Sequence, residues 1–528
     1  MSEKSTFNAW RENLSRLYDA KQYADAIASA RVGLAASPES AAVVAIAAAC
    51  LIDAGNRLGD LGAVGEAKQA IQAVLPQPNT SDKLMARLKY YLSNAFAAEY
   101  FHYLSSGDRE KAREALRDQR RNLQEVLLQE HSLPHDLRVK VHTNCANALD
   151  ETDRTIEAID HYVLAWALDH KHMLAKGNCG VALYRLARFT RNHSMENLDT
   201  GLQLLEEACS CPEDIERYAS ATAVGRLEQQ RGKVCKEVET RMRRRTNTTL
   251  EAWRTHRQEE HGSPECAPYM KSVLKNRLLL SLNQFPLPSA KEAIDDLMFA
   301  KLGSAIDDES QRWAVDIIHR LNLLKEEFAT ARYLYYLSAE KPAASLVAAE
   351  GATQYADPGY ATEFSVASGI LKASFRTAVD VLDKIGYLLS TYLKLEHKER
   401  RVYFNTVWYL DCDRKKGEHP LVAETKTKGR WLRVLHELQE DWFAERFPGP
   451  FQSLRHVGTH RGLILSTGDD VGQAVPGARS VDEHRVDALL MLRCVKAALV
   501  YLFLFIDEEE KRRGAGDVAA GVMPLPMK

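Results

Sequence analysis

The sequence predicts an all-α protein, and three observations predict it. Glycine (28) and proline (17) are sparse in a chain of 528 residues, which removes the punctuation that a strand-rich fold needs every few positions. Apolar residues recur at helical spacing over long stretches, notably 362–395, 429–446 and 481–510. Small residues stand where two helices would otherwise collide, as Ala26, Ala30 and Gly33 do in the first segment. Apolar residues at 45% and charged residues at 27% exclude general disorder. Lys+Arg of 70 against Asp+Glu of 72 gives a net charge of −2, so the chain is no polybasic nucleic-acid coat and any phosphate footprint must be local.

The first helices read as repeats. Residues 7–38 carry Trp10 in one helix, then Tyr23, Ala26 and Leu34 in a second that Pro38 ends. Ile156-Glu157-Ala158-Ile159 with Tyr162, Ala165 and Leu168 repeats the second-helix pattern, and Met173-Leu174-Ala175 opens another first helix. Residues 109–127 form a degenerate second helix between them. Each unit resembles a tetratricopeptide repeat (TPR), with irregular spacing, over residues 1–215. Such a stack offers a curved surface for a peptide or partner helix. The plain alternative is an alanine-rich α-bundle.

Residues 216–345 are expected to connect this half to the next. Eight Lys/Arg against three Glu fill 226–245, the pattern of a solvated helix face, and 245–266 reads as a linker. His256, Glu259, Glu260 and His261 cluster there, but their spacing fits neither orientation of the zinc-protease helix motif. Apolar spacing then continues through Trp313–Ile318 and Tyr333–Leu337.

The third segment, 346–528, is expected to be an antiparallel bundle of helices near 362–395, 398–410, 429–446 and 481–510. Between the last two lies Pro448-Gly449-Pro450-Phe451-Gln452-Ser453-Leu454-Arg455-His456-Val457-Gly458-Thr459-His460-Arg461. Two arginines and two histidines within seven positions are costly to bury without a purpose. Arg455 and His460 are five apart, about 140° around a straight helix, so acting together requires a bend, a helix end or a second copy of the site; Gly458 can supply the bend. His456 and His460 would share a helix face, which makes a zinc pair the competing reading, with no third ligand nearby.

Arg-x4-His before the last helix of a bundle, with a polar residue directly after the Arg, resembles the HEPN superfamily of all-helical proteins, many of them metal-independent ribonucleases. The resemblance covers roughly 360–510, and TPR-like repeats ahead of such a domain, together with Tyr403–Trp408, are similar to one bacterial subgroup. It implies Arg455 and His460 as the catalytic pair, His456 as their polar support, and no metal or other cofactor. The residue types suit the chemistry: His exchanges protons near neutral pH, and Arg presents a fixed fork of donors to phosphate oxygens. It also implies RNA as substrate, with Arg461, Arg400 and Arg401 as substrate-binding residues, and a homodimer through the C-terminal domain that brings two motifs to one cleft. Residues 394–433 hold eleven Lys/Arg against six Asp/Glu, a local excess suited to phosphates. By resemblance the role is that of a toxin or an anti-phage nuclease, with the repeats as sensor.

Nine scattered cysteines suit reduced, mostly buried thiols rather than a disulfide framework. The start lacks the charged-then-apolar design of a secretory signal. The uncharged apolar runs Ala41–Ile52 and Ala497–Ile506 fall short of the roughly 18 residues of a spanning helix, so no membrane partner and a cytoplasmic location are expected. Two rival readings stand: a non-catalytic scaffold that binds proteins, and a regulator whose Arg and His hold a nucleotide without cutting. No Walker-type or dinucleotide-binding glycine pattern is present.

Overall fold

Capping residues set the starts of several helices. Ser40, Asp60, Asp108, Ser365 and Ser480 each accept a backbone N–H two or three residues into the helix that follows, satisfying donors that the helix itself leaves open. Ser365 with Ser368, and Ser480 with Glu483, close reciprocal capping boxes.

The computed structural model describes residues 3–76, 80–128, 130, 133–190, 193–219, 221–245, 249–261, 267–289, 291–298, 308–339, 354, 362–443, 463–466 and 479–513. Among them run α1 (Glu3–Asp19), α2 (Tyr23–Ala36), α3 (Ala41–Leu58), α4 (Leu61–Val74), α5 (Asp82–Ser106), α6 (Arg109–Leu127), α7 (His135–Asp150), α8 (Thr155–Leu168), α9 (Met173–Phe189), α10 (Ser194–Cys209), α11 (Pro212–Glu216), α12 (Ala221–Arg245), α13 (Leu250–His261), α14 (Pro268–Lys275), α15 (Asp308–Ala339), α16 (Val366–Tyr392), α17 (Pro420–Lys428), α18 (Trp431–Phe443) and α19 (Val481–Arg512). The protein is all-α, as its composition and periodicity predict. The described strands are three two-residue pieces: β1 (Thr362–Glu363), β2 (Leu465–Ser466) and β3 (Arg479–Ser480).

One compact unit holds residues 1–152, 158–179 and 205–227. Its helices pack as sequential neighbours: α1 on α2, α2 on α3, α3 on α4, α5 on α6 and α6 on α7. One core cluster is rich in alanine, with Ala26, Ala30, Val44, Ala47, Ala48, Leu51 and Ile71 buried together. Gly33 lies under the Trp10 indole, where a Cβ would stand 2.3 Å from a ring atom, and the indole N–H donates to Ser29 O at 3.0 Å. These helix pairs are consistent with repeats.

The other unit holds residues 153–157, 180–204 and 228–528, so the helices at 180–204 pack with the C-terminal part of the chain. Its centre is a bundle in which α15 packs on α16, and α19 packs on α15, α16 and α18. α19 is the core helix, with Leu492, Val495, Leu499, Leu502 and Phe505 buried. By length and composition α3 and α19 could each cross a membrane, although the uncharged runs within them are short. Their apolar windows are 56% and 83% buried within the fold, as core helices of a globular unit also are.

Two expected elements differ. Residues 398–410 are not a helix but a short 3-10 turn, Glu399–Arg401, followed by turns. Phe404 and Trp408, four apart, imitate a helical stripe, yet the Trp408 indole N–H donates to Phe404 O at 2.6 Å within a folded loop. Gly386 of α16 admits that loop, since a Cβ there would meet Phe404 N at 2.7 Å and Tyr403 C at 2.8 Å. The bundle's fourth helix is instead α15. The expected linker 245–266 contains α13, anchored by Arg254 to Asp199 at 2.6 Å and by Arg257 to Glu292 at 2.6 Å. None of the eight described cysteines forms a disulfide, and Cys50, Cys145, Cys179, Cys412 and Cys494 are buried.

Candidate nucleic-acid site

The segment carrying the motif leaves α18 and returns at Leu463. Arg455, His456, His460 and Arg461 lie outside the described residues. The structure describes what receives the chain at its return. β2 pairs antiparallel with β1, Thr362 opposite Ser466, and parallel with β3, Leu465 opposite Arg479. Leu463, Leu465 and Ser466 are buried. Lys372 of α16 donates its ammonium to Leu463 O at 3.3 Å, and Arg479 N–H donates to Ile464 O at 3.1 Å.

A buried polar group sits at this return. Ser480 caps α19, which places Arg479 just ahead of the helix and His484 and Asp487 one turn apart on it. Arg479 pairs with Asp487 at 2.9 Å. His484 is fully buried, its ring lies against Phe375 with centroids 5.4 Å apart, and neither ring nitrogen has a hydrogen-bond partner among the described residues. Burial, helped by the nearby charges of Arg479 and Lys372, pushes the His484 imidazole down to about 4. Burial likewise pushes the Asp487 carboxyl up to about 6, against the pull of Arg479. Lys372 is held below its ordinary value by burial and by Arg376. Burial thus favours the neutral form of both His484 and Asp487, beside the cations Arg479 and Lys372.

Arg479-Ser480-Val481-Asp482-Glu483-His484 repeats the Arg-x4-His spacing with a polar residue after the arginine. Sequence reasoning passed over it, and the same spacing that singled out Arg455 and His460 was the available signal.

Arg400 and Arg401 are exposed on the Glu399–Arg401 turn, and neither makes an ion pair among the described residues. Six of the eleven cations of 394–433 are engaged by carboxylates: Arg414 with Glu440, Lys416 with Asp411, Lys426 with Glu418, Lys428 with Glu424, and both Arg430 and Arg433 with Asp153. Among the described residues, the cations of this stretch without a carboxylate partner are therefore Lys394, Lys398, Arg400, Arg401 and Lys415. Elsewhere, Cys211, Glu213 and Asp214 bring ligand atoms within 4.8 Å of one another. Two acids in the first turn of the short α11 already suit the helix N-terminus without an ion.

Residues 309–509 match the model of the LA2681-like HEPN family, which supports a HEPN domain in the C-terminal part of the chain. The match runs from the start of α15 to the last turns of α19 and so takes in a helix that the sequence reading assigned to the connector. No curated protein matches the chain.

Proposed function

We propose that the C-terminal domain is a metal-independent endoribonuclease with Arg455 and His460 as its catalytic pair. The observation that carries this reading is the HEPN match over 309–509, which contains that Arg-x4-His pair between the third and last helices of the bundle. In the proposed reaction the 2′-hydroxyl of one nucleotide loses its proton to His460 and attacks the adjacent phosphorus. A bond from O2′ to phosphorus forms, and the bond from phosphorus to O5′ breaks. A proton returns to O5′, leaving a 2′,3′-cyclic phosphate and a 5′-hydroxyl. Arg455 faces the charge that develops on the phosphate, where a fixed donor contributes a few kcal/mol. His456 supports the pair, Arg461 with Arg400 and Arg401 holds the RNA backbone, and a homodimer brings two motifs to one cleft. The Lys372, Arg479, His484 and Asp487 group supports the reading by standing where the motif segment rejoins the bundle.

The N-terminal helices, in this reading, form a TPR-like surface that takes a protein or peptide trigger and restrains the nuclease, in a cytoplasmic toxin or anti-phage role. Deleting residues 1–152, which leaves Arg154 and the helices at 180–204 with the C-terminal unit, should then change cleavage; equal activity with and without them would remove the regulatory part of the proposal.

A second reading places the pair at Arg479 and His484, favoured by the repeated spacing and by His484's unpartnered ring nitrogens. The deciding experiment is cleavage of an RNA pool in EDTA by the full chain and by Arg455→Ala, His460→Ala, Arg479→Ala and His484→Gln. Cleavage that survives EDTA and falls by roughly a hundredfold or more in the first two variants supports the proposal. Loss in EDTA with wild-type protein points to His456 and His460 as metal ligands. Loss confined to the last two variants, with the fold intact, moves the pair. RNA left whole by folded wild-type protein favours the scaffold.

A further inference from the structure

The chain between α16 and α17 folds back on itself around one exposed carboxylate. Tyr409 and Glu418 pair antiparallel, Leu410 N–H donates to Gly417 O at 3.1 Å, and His419 N–H donates to Trp408 O at 2.9 Å. A tight turn follows Leu410, closed by Asp413 N–H donating to Leu410 O at 3.0 Å. Its two central residues, Asp411 and Cys412, both take left-handed backbone, with φ of +52° and +56°. Asn and Gly are the usual occupants of such a pair. Asp413 spends its carboxylate locally, accepting Lys415 N–H at 3.0 Å. The Asp411 carboxylate instead accepts from the Lys416 ammonium at 2.7 Å, with its side chain 60% exposed.

Further positive groups bring their charged ends to the same place. The hydrogen bond from Lys416 is the main reason that the Asp411 carboxyl lies below its ordinary range, and the charges of Lys398 and His397 act in the same direction. Arg401 stands near enough for its charge to act on Lys416 and on Cys412, the partner and the chain neighbour of Asp411. The His397 and His419 rings meet at 90° with centroids 5.4 Å apart, which holds residues 397–401 against the folded-back chain. Lys398, Arg401 and Lys416 therefore converge on Asp411 from two segments. One exposed carboxylate on one lysine is a weak contact. A phosphodiester offers the same donors two charged oxygens and releases counterions as it binds.

We propose that an RNA phosphate binds here by displacing Asp411 from Lys416, so that Asp411 is an internal competitor for the RNA backbone. The proposal rests on the reading that this domain takes RNA, and not on which pair cuts it. Fluorescence anisotropy of the full chain with a labelled 2′-O-methyl RNA, which has no 2′-hydroxyl to attack, tests it over a salt series. Asp411→Asn suits the left-handed turn and removes only the charge. Glu424→Gln removes the same charge from another exposed lysine pair, with Lys428, and controls for net charge. Asp411→Asn should tighten binding roughly fivefold and steepen the salt slope by about 1, whereas Glu424→Gln should change affinity by less than about twofold. Lys416→Gln and Arg401→Gln should each weaken binding about fivefold, with melts close to wild type because these groups are exposed. Equal tightening in Asp411→Asn and Glu424→Gln overturns the proposal, as does unchanged affinity in Asp411→Asn or in Lys416→Gln. Wild type and Asp411→Asn that both fail to bind overturn it together with the RNA reading. Cleavage of unmodified RNA beside affinity indifferent to Asp411 removes this proposal and keeps the nuclease. Affinity that follows Asp411 in protein that leaves RNA whole sustains it without the nuclease.

Discussion

Replacing Arg154 by Met should destabilise the C-terminal unit severely, and the effect should depend on pH. Arg154 is completely buried. Its guanidinium donates twice to Glu157, at 2.8 and 2.6 Å, and pairs with Asp441, which is itself 3% exposed. Tyr501 completes the group by donating to Glu157 at 3.3 Å and accepting Ile156 N–H at 3.2 Å. Burial alone would lower the arginine's affinity for its proton, but the two carboxylates outweigh it and raise the guanidinium well above its usual value. Met fills much of the same volume, so the cavity contribution is small. What remains is the buried Asp441 carboxylate and the partly buried Glu157 carboxylate without the cation that paired both, a loss of about 3–5 kcal/mol. For a unit of this size that lowers Tm by roughly 10 °C. One carboxyl can relieve the repulsion by taking a proton. Its folded-state pKa then exceeds the unfolded value near 4, so the loss is largest above about pH 6 and shrinks toward pH 4. Thermal melts of both proteins at pH 8, 6 and 4.5 measure this, and Arg154→Met/Asp441→Leu should recover more than half of the loss. A drop under about 2 °C, or one equal at all three pH values, refutes the reasoning.

Gly386→Ala sets helix propensity against sterics: alanine favours α16 by up to about 1 kcal/mol, but its methyl meets the backbone of Tyr403 and Phe404 at 2.8 and 2.7 Å. Overpacking against backbone costs about 1–3 kcal/mol, so denaturant titration should show a net loss, and a gain would mean that the 403–404 loop yields. His172 and His484 are both pushed down to about 4 by burial. The unfolded chain therefore takes its protons first, and each histidine withdraws up to about 3 kcal/mol of stability as pH falls from 6.5 to 4. Asp487, raised to about 6, works in the opposite sense over pH 6 to 4, because the folded form keeps its proton. Melts across this window should be flatter for His484→Gln than for wild type and steeper for Asp487→Asn. Replacing Arg400 and Arg401 by Ala should reduce the salt slope of RNA binding by about 1–2, whereas Lys428→Gln, already paired with Glu424, should leave it unchanged.

Local rules carried the reading of the helices. α2, α6 and α8 lie within a few residues of where periodicity, small residues and a terminal proline put them, because each is set by features inside its own segment. The loop at 398–410 was illegible for the opposite reason: its Phe404 and Trp408 have helical spacing, and only the notch at Gly386 on a distant helix makes a folded loop the better packing. α13 has the look of a linker in sequence because its few apolar residues give a weak stripe, while Asp199 and Glu292, far away in sequence, anchor its arginines. The Arg154 group joins residues 287 apart and left no local trace. For the candidate site, the Arg-x4-His pattern was legible at Arg455 and His460, but the pattern at Arg479 needed the cap at Ser480 to draw attention to it.

Burial separates the two Arg-x4-His pairs more sharply than spacing does. A group that cuts RNA must touch the scissile phosphate, yet His484 is fully buried against Phe375 and Arg479 already pairs with Asp487. Placing RNA on that pair would mean displacing Asp487 and opening the foot of α19, whose neighbouring residues form much of the core. A positioning role avoids that cost: the backbone N–H of Arg479 holds Ile464 O, and its pairing with Asp487 at the start of α19 fixes the strand that β2 returns to. The two roles predict different couplings. If Arg479 and His484 position, then His484→Gln should lower activity only in proportion to the fraction unfolded, and activity should return at a temperature or osmolyte concentration where the fold is restored. If they act directly on RNA, activity should stay lost in fully folded protein, while Arg455→Ala and His460→Ala cleave at the wild-type rate.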